Sequence, residues 1–324
     1  MKINLKQFIK NILFYSGLIS LYRMVYTSVM TYVLVPVVYC YTQRYRILSS
    51  IDSIKYIKTR RCSISRYGDG EFAIIWGGHN GFQSKNKELG IRLKDILVNK
   101  SNIKINHIIG IPYSIKDCSD MVPEAKRFWS FFSVHHFFFL KELLRKDTLY
   151  ANALISRFYI DYHDVSNSEK QLNELKRLWD SENLLIVEGC ETRSGIGNDL
   201  YSNAKSIKRI LGPATNAFDL YDEMLDVIKH YAQKDQLVLL SYGMTATVLA
   251  YDLAQLGYWA IDIGHLDIEY EWFRMGVKTK IPIEGKFTNE IESGRVVDEC
   301  NDLLYQSQII CDISRRQYEP CSAL

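Results

Sequence analysis

The chain has 324 residues, of which 47% are apolar and 24% charged, and its net charge is +3. That length and balance exclude a disordered chain and allow one large or two modest domains around a sizeable core. The charge is too close to neutral to argue for nucleic acid as a partner.

The charge is unevenly placed. Residues 1–51 hold Lys2, Lys6, Lys10, Arg23, Arg44 and Arg46 and no acid; removing those six leaves 34 basic against 37 acidic residues elsewhere. Met24 to Gln43 runs for twenty residues without a charge, the length of a membrane span, which needs about 20. It also carries Pro36, Tyr26, Tyr32, Tyr39 and Tyr41, with Tyr45 just beyond. Such a basic, aromatic segment suits the membrane interface equally well. Residues 1–48 are therefore read as a separate apolar, basic segment with three fates open: lying on a membrane, packing on the protein, or spanning. No small-x-small cleavage site follows it, which argues against a cleaved signal peptide. The seven cysteines are scattered and form no CxxC, so the sequence predicts a reducing compartment without a disulfide framework or zinc ribbon.

From residue 49 the chain alternates short β-like runs with helical patterns. The runs are 62–65, 103–112, 148–155, 184–189, 208–213, 236–243 and 258–264. Helical patterns fill 87–99, 123–145, 168–180, 199–207, 217–232 and 244–256; in the last, Val248, Leu249, Leu253 and Leu256 recur at helical spacing. Alternating β and α elements predict an α/β fold, a Rossmann-like, mostly parallel sheet flanked by helices. Residues 49–295 read as one unit, and 296–324 as a short helix and polar tail.

In open α/β sheets ligands sit beyond the carboxyl ends of the strands, so the residues after each run hold the candidates. The first is "RYGDGE", 66–71. On an extended backbone Asp69 and Glu71 point the same way, and two carboxylates on one spot call for a cation between them. Hard Mg²⁺ or Mn²⁺ prefers such oxygens, and Arg66 suits a phosphate. Asp69 and Glu71 are thus metal candidates, with Arg66 and Gly68 on the nucleotide side; the competing reading is a glycine turn whose acids cap the next helix. Gly68, Gly70 and Ala73 also match a dinucleotide fingerprint, discounted because acids stand where a pyrophosphate must approach. The second group is Arg193 between glycines, with Asn198 or Asp199 capping a helix whose N-terminus suits an anion. Gly243 and Thr245, entering the helix at 244–256, fit a phosphate or ribose. The third group is His265, Asp267, Glu269 and Glu271, one of which is a candidate general base; Glu269 is favoured. His135 and His136 lie in an aromatic run and read as core or interface.

Taken in order, "SRYGDGEF", "ISRFYIDY", "VEGCETRSGIGNDLYSNAKSIKRILGPATNAFDLYDEML" and "LVLLSYGMTATVLAYDLAQLGYWAIDIGHLDIEYEWFRMG" closely resemble the bacterial GT-D-type glycosyltransferases, over roughly residues 50–280. The resemblance implies transfer of a hexose, glucose first, from a UDP-sugar. A divalent ion, Mn²⁺ or Mg²⁺, would sit at the D-x-E motif, which falls on Asp69 and Glu71. It implies a glycan acceptor, lipid-linked or protein-linked, in surface polysaccharide or glycoprotein synthesis. With residues 1–48 on a membrane surface, the expected location is the cytoplasmic side of the plasma membrane. Phe158 stands where the family pattern has proline. The alternative reading is a non-catalytic nucleotide-sugar-binding scaffold subunit.

Overall fold

A computed structural model describes residues 18–79, 81, 83–98, 105–295 and 297–314. The N-terminal helix comprises α1 (Leu18–Val29), a π-helical turn at Met30–Leu34, and α2 (Val35–Thr42). Pro36 has no N–H to give back into the preceding turn, and the wider turn falls directly before it. Strand β1 (Arg46–Ile47) and α3 (Ser50–Arg60) follow; Ser49 caps α3 by accepting from the Asp52 N–H.

The alternating body comes next: β2 (Ser63–Arg66), α4 (Asp69–Ile75), α5 (Lys87–Val98), β3 (His107–Ile111), α6 (Pro123–His135), α7 (Phe137–Leu143), β4 (Leu149–Asn152), α8 (Val165–Lys176), β5 (Asn183–Gly189) and β6 (Ser206–Gly212). Then come α9 (Tyr221–Tyr231), β7 (Leu237–Ser241), α10 (Thr245–Gln255), β8 (Trp259–Asp262), α11 (Leu266–Met275), α12 (Leu303–Gln308) and β9 (Ile309–Asp312). The nine strands form one sheet, in the order β1-β4-β3-β2-β8-β7-β5-β6-β9. Every pairing is parallel.

All seven β-like runs are strands. Side chains alternate across the sheet: Leu185, Val187, Val238 and Leu240 join one apolar cluster, and Leu184, Ile186, Leu237 and Leu239 the other. Both faces are therefore covered, as a parallel sheet requires. The sheet also runs past both expected boundaries, since β1 lies before residue 49 and β9 beyond residue 295.

Two helical expectations are corrected. Residues 199–205 form turns rather than a helix, and Ser206 and Ile207 already belong to β6. Asn198 Oδ1 accepts from the Leu200 N–H at 3.0 Å, closing a local turn, and the Leu200 carbonyl goes to the Trp179 indole at 3.0 Å. The helical pattern at 123–145 breaks in two at His136, whose backbone leaves the helical region. His136 instead stacks on Trp76, ring centres 4.1 Å apart.

Candidate active site

A cleft of about 810 Å³ opens over the carboxyl ends of β2, β4, β7 and β8. Chain order steps outward from β2 to β4 on one side and fills β5–β8 on the other, so the cleft lies where the winding changes direction. Arg66, Gly68, Asp69, Glu71, Gly243, Thr245 and His265 line it. Arg193, Asn198, Asp267, Glu269 and Glu271 do not.

The floor is built on Arg66. Its Nε and Nη2 donate to Asp262 Oδ1 at 3.3 and 3.1 Å, and its Nη1 donates to the Ala153 carbonyl and Ser156 Oγ at 2.9 and 2.6 Å. One guanidinium thus ties β2, β8 and the end of β4 together. It passes so close to Gly264 that a Cβ there would lie 2.0 Å from Nη2, and Gly264 has φ +54, so glycine is required on both counts.

The D-x-E segment is not extended. Asp69 opens α4, Gly68 is its N-cap, and Glu71 Oε2 accepts from the Gly68 N–H at 2.7 Å. The helix-capping alternative therefore describes the backbone, and convergence by strand alternation does not. Both acids still line the cleft. Burial, then the nearby Asp262, push Glu71 up to about 7, so its charge lacks full compensation. Among the described residues no group of three or more His, Cys, Asp or Glu could hold a metal ion. Asp69, exposed in the cleft, and the second oxygen of Glu71 would supply two oxygens. That donor set fits an ion that also takes substrate phosphates and water, as Mg²⁺ does.

Among the described residues, several buried polar atoms of cleft-lining residues have no hydrogen-bond partner: Thr245 Oγ1, Asn289 Oδ1, Arg157 Nη1 and Glu290 Oε2. Such atoms are rare, and together they mark a surface shaped for a polar ligand.

The third expected group divides. His265 lines the cleft and burial lowers its pKa, keeping the imidazole neutral. Glu269 is fully buried behind the wall, where both the Tyr159 and Ile160 N–H groups donate to Oε1 at 2.8 Å. Its Oε2 lies 3.7 Å from Arg157 Nη1, and Arg157 also pairs with Glu290. Burial lifts Glu269 to about 7, against the pull of Arg157. Burial also opposes charge on Glu290, but the paired Arg157 guanidinium outweighs it and holds that carboxyl at about 2. Asp267 and Glu271 sit one turn apart on α11 and are both tied to Lys286, at 2.7 and 3.0 Å, and to Asn198, at 2.8 and 2.7 Å. They fasten the 278–290 segment that borders the cleft. Arg193, expected on a phosphate, gives its guanidinium to the Gly285 and Asp298 carbonyls. Phe158 is buried, edge-on to Phe273 with ring centres 5.7 Å apart.

Asp262, Arg157 and Glu290 were missed from sequence. Asp262 had a signal, an acid ending the apolar strand at 258–264. Glu290 had none, because its segment has no periodicity.

A model of the glycosyltransferase GT-D fold matches residues 64–291. The chain belongs to the GT-D-fold glycosyltransferase family. It is 37% identical over 262 residues to glycosyltransferase GlyD of Streptococcus pneumoniae serotype 4 (strain ATCC BAA-334 / TIGR4), covering 81% of this chain and 32% of that protein. It is 36% identical over 269 residues to a probable glycosyl transferase Gly of Streptococcus gordonii, 83% of this chain and 39% of that one. The chain thus spans about a third of the length of these relatives. Two solved structures share the GT-D architecture. One, described as the highly conserved domain of unknown function 1792 with a distinct glycosyltransferase fold, superposes with a TM-score of 0.80 at 37% identity, covering 86% of this chain and 99% of that one. A glycosyltransferase of the same domain type from Streptococcus sanguinis gives 0.77 at 35% identity, covering 83% and 100%.

Proposed function

We propose that the chain transfers a hexose, glucose first, from a UDP-sugar to a glycan acceptor, with Mn²⁺ or Mg²⁺ at Asp69 and Glu71. The observation that carries this reading is the pairing of those two acids with Arg66 on one cleft floor, below a wall of buried polar atoms without partners. A bound divalent ion would supply Lewis-acid stabilisation of the diphosphate as the glycosidic bond breaks. Arg66, held rigid by Asp262 and Ser156, offers a preorganised positive charge to the same diphosphate. Thr245 Oγ1 offers a hydrogen bond to the nucleotide. His265, neutral and on the cleft wall, is placed to take the proton of an acceptor hydroxyl. Glu269 balances the charge of Arg157 from behind, a positioning role.

The N-terminal helix supports a membrane location on the cytoplasmic side. Met24–Thr42 is long and apolar enough to cross a bilayer, and only 11% of its most apolar stretch is buried.

The test is a thermal-shift panel on the full chain in mild detergent, with UDP, UDP-glucose, UDP-galactose, GDP-mannose and NAD, each with and without Mn²⁺. A rise with uridine ligands that depends on Mn²⁺ supports the reading, because ligands of the native state raise its stability with occupancy. A rise with NAD, or with UDP regardless of metal, overturns it. Binding with no sugar release or transfer from UDP-glucose or UDP-galactose would favour a scaffold role.

A further inference from the structure

Helix α6 does two jobs. Its first turns line the cleft, through Ala125, Phe128 and Trp129. Its last turn meets the N-terminal helix: His135 Nδ1 donates to the Phe131 carbonyl at 2.7 Å, which leaves Nε2 to accept from Tyr26 Oη at 2.6 Å. Phe128, Phe131 and His135 are spaced three and four residues apart and share one side of α6. Seven residues of helix is about 10 Å. An aromatic path of that length therefore joins the cleft mouth to the apolar helix, where it continues through Tyr26 to Tyr22, ring centres 6.0 Å apart.

This path is partly exposed: His135 is exposed and Phe131 half-buried. Phe128 is 48% exposed, and on α7 Phe138 is 79% and Phe139 50% exposed. Soluble surfaces rarely carry so many large apolar side chains together. At the cleft end of α6 the acid Glu124 stands one turn before Phe128, and toward the foot of the N-terminal helix the charged groups are positive. Arg44, Lys141 and Lys146 ring Tyr41 at 5.2, 5.8 and 4.9 Å from its centre, at the foot of the N-terminal helix. Of the nearby acids, Glu142 is paired with Lys94 and Asp147 with Arg145. An apolar crest beside a cationic collar, continuous with a helix able to enter a bilayer, is complementary to an anionic lipid surface.

We propose that this face of α6 and α7 rests on the membrane and turns the cleft mouth toward it. The acceptor is then a membrane-resident amphiphile: its sugar head enters the cleft past Phe128 while its apolar tail stays in the bilayer. The acceptor class rests on the glycosyltransferase reading given above; the membrane contact of α6 and α7 does not.

Vesicles of phosphatidylglycerol and phosphatidylcholine, carrying a lipid with a photoreactive group in its tail, test the contact on the full chain. Labelled peptides are mapped by mass spectrometry. The expected result is label in both 18–42 and 123–143, with label in 123–143 falling at least five-fold in the F131E/F138E double variant and unchanged in L303E, a control on α12. Label confined to 18–42, or a crest shielded by self-association with no lipid label, overturns the proposal. A photoreactive farnesyl diphosphate in the same vesicles tests the amphiphile: cross-links along 125–135 support it, and cross-links spread over the whole protein count against it. The Mn²⁺-dependent thermal shift with UDP is read in parallel. A lost shift with retained label sinks the glycosyltransferase reading alone; a retained shift with lost label sinks this inference alone.

Discussion

Two groups of charged residues, one on the cleft floor and one behind its wall, use the same chemistry to opposite ends. On the cleft floor, Asp69 and Glu71 stand with the fixed cation Arg66, and Glu71 is left with a raised pKa. Behind the wall, Asp267 and Glu271 share Lys286 and Asn198, and the Asp267 carboxylate also takes the Gly195 N–H at 2.8 Å. A carboxylate with its hydrogen bonds filled by protein is a fastener. One kept short of partners at an opening is available to a ligand. The difference lies in the accounting of partners and not in the residue types.

The comparison breaks most sharply by mutation. Neutralising the floor, with Asp69→Asn or Glu71→Gln, should lower transfer by roughly a hundredfold or more, the scale of a lost electrostatic contact at a reacting group, while Tm stays within about 2 °C. Transfer assays beside calorimetry check it, and full activity in both variants would remove the metal assignment. Opening the fastener should do the reverse. Lys286→Ala removes the lysine shared by buried Asp267 and half-buried Glu271 and leaves them Asn198, the Gly195 N–H and Arg274, at a cost of about 3 kcal/mol, or roughly 6–12 °C in Tm. UDP affinity, measured well below the transition, should change less than about three-fold if Lys286 is only a fastener.

The pH dependence sharpens the same contrast on the wall. Glu290 is held at about 2, below its usual value of 4.5. Its contribution to stability is therefore present above pH 4.5 and lost as pH falls toward 2. Glu269 is lifted from 4.5 to about 7, so stability falls as pH rises between those values. Urea midpoints at pH 3, 5 and 7 should show the acid loss shrinking in Glu290→Gln and the neutral-side loss shrinking in Glu269→Gln. The smallest effect concerns Thr245. Its buried hydroxyl has no hydrogen-bond partner among the described residues, so Thr245→Val should shift stability by about 0.5 kcal/mol or less. Nucleotide affinity, by titration calorimetry, should drop by about ten-fold if that hydroxyl meets the ligand.

Much of the fold was legible because parallel strands buried on both faces are continuous apolar runs, and each such run, from 62–65 to 258–264, became a strand. The strand-end rule likewise brought Arg66, Asp69, Glu71, Gly243, Thr245 and His265 to one cleft. What failed were local guesses that distant residues decide. The pattern at 199–207 looked helical, yet the Leu200 carbonyl belongs to Trp179. Arg193 looked like a phosphate ligand, yet carbonyls nearly a hundred residues on claim it. Glu269 looked like a base at the strand end, but Arg157 closes over it. Lys286, which decides the role of two of the three α11 acids, stands in a segment with no pattern to mark it.

The edge strand β9 has a consequence for synthesis. Strand β6 ends at Gly212 and its outer partner begins at Ile309, roughly a hundred residues later. At about 5–20 residues per second, β6 waits some 5–20 seconds on the ribosome with its outer N–H and C=O groups unpaired, while the apolar N-terminal helix has been outside the tunnel for longer still. A bare strand edge is a template for pairing with another nascent chain. Neighbouring ribosomes on one message would hold several such edges close together, so the yield of this protein should depend on how fast the codons between Gly212 and Ile309 are read.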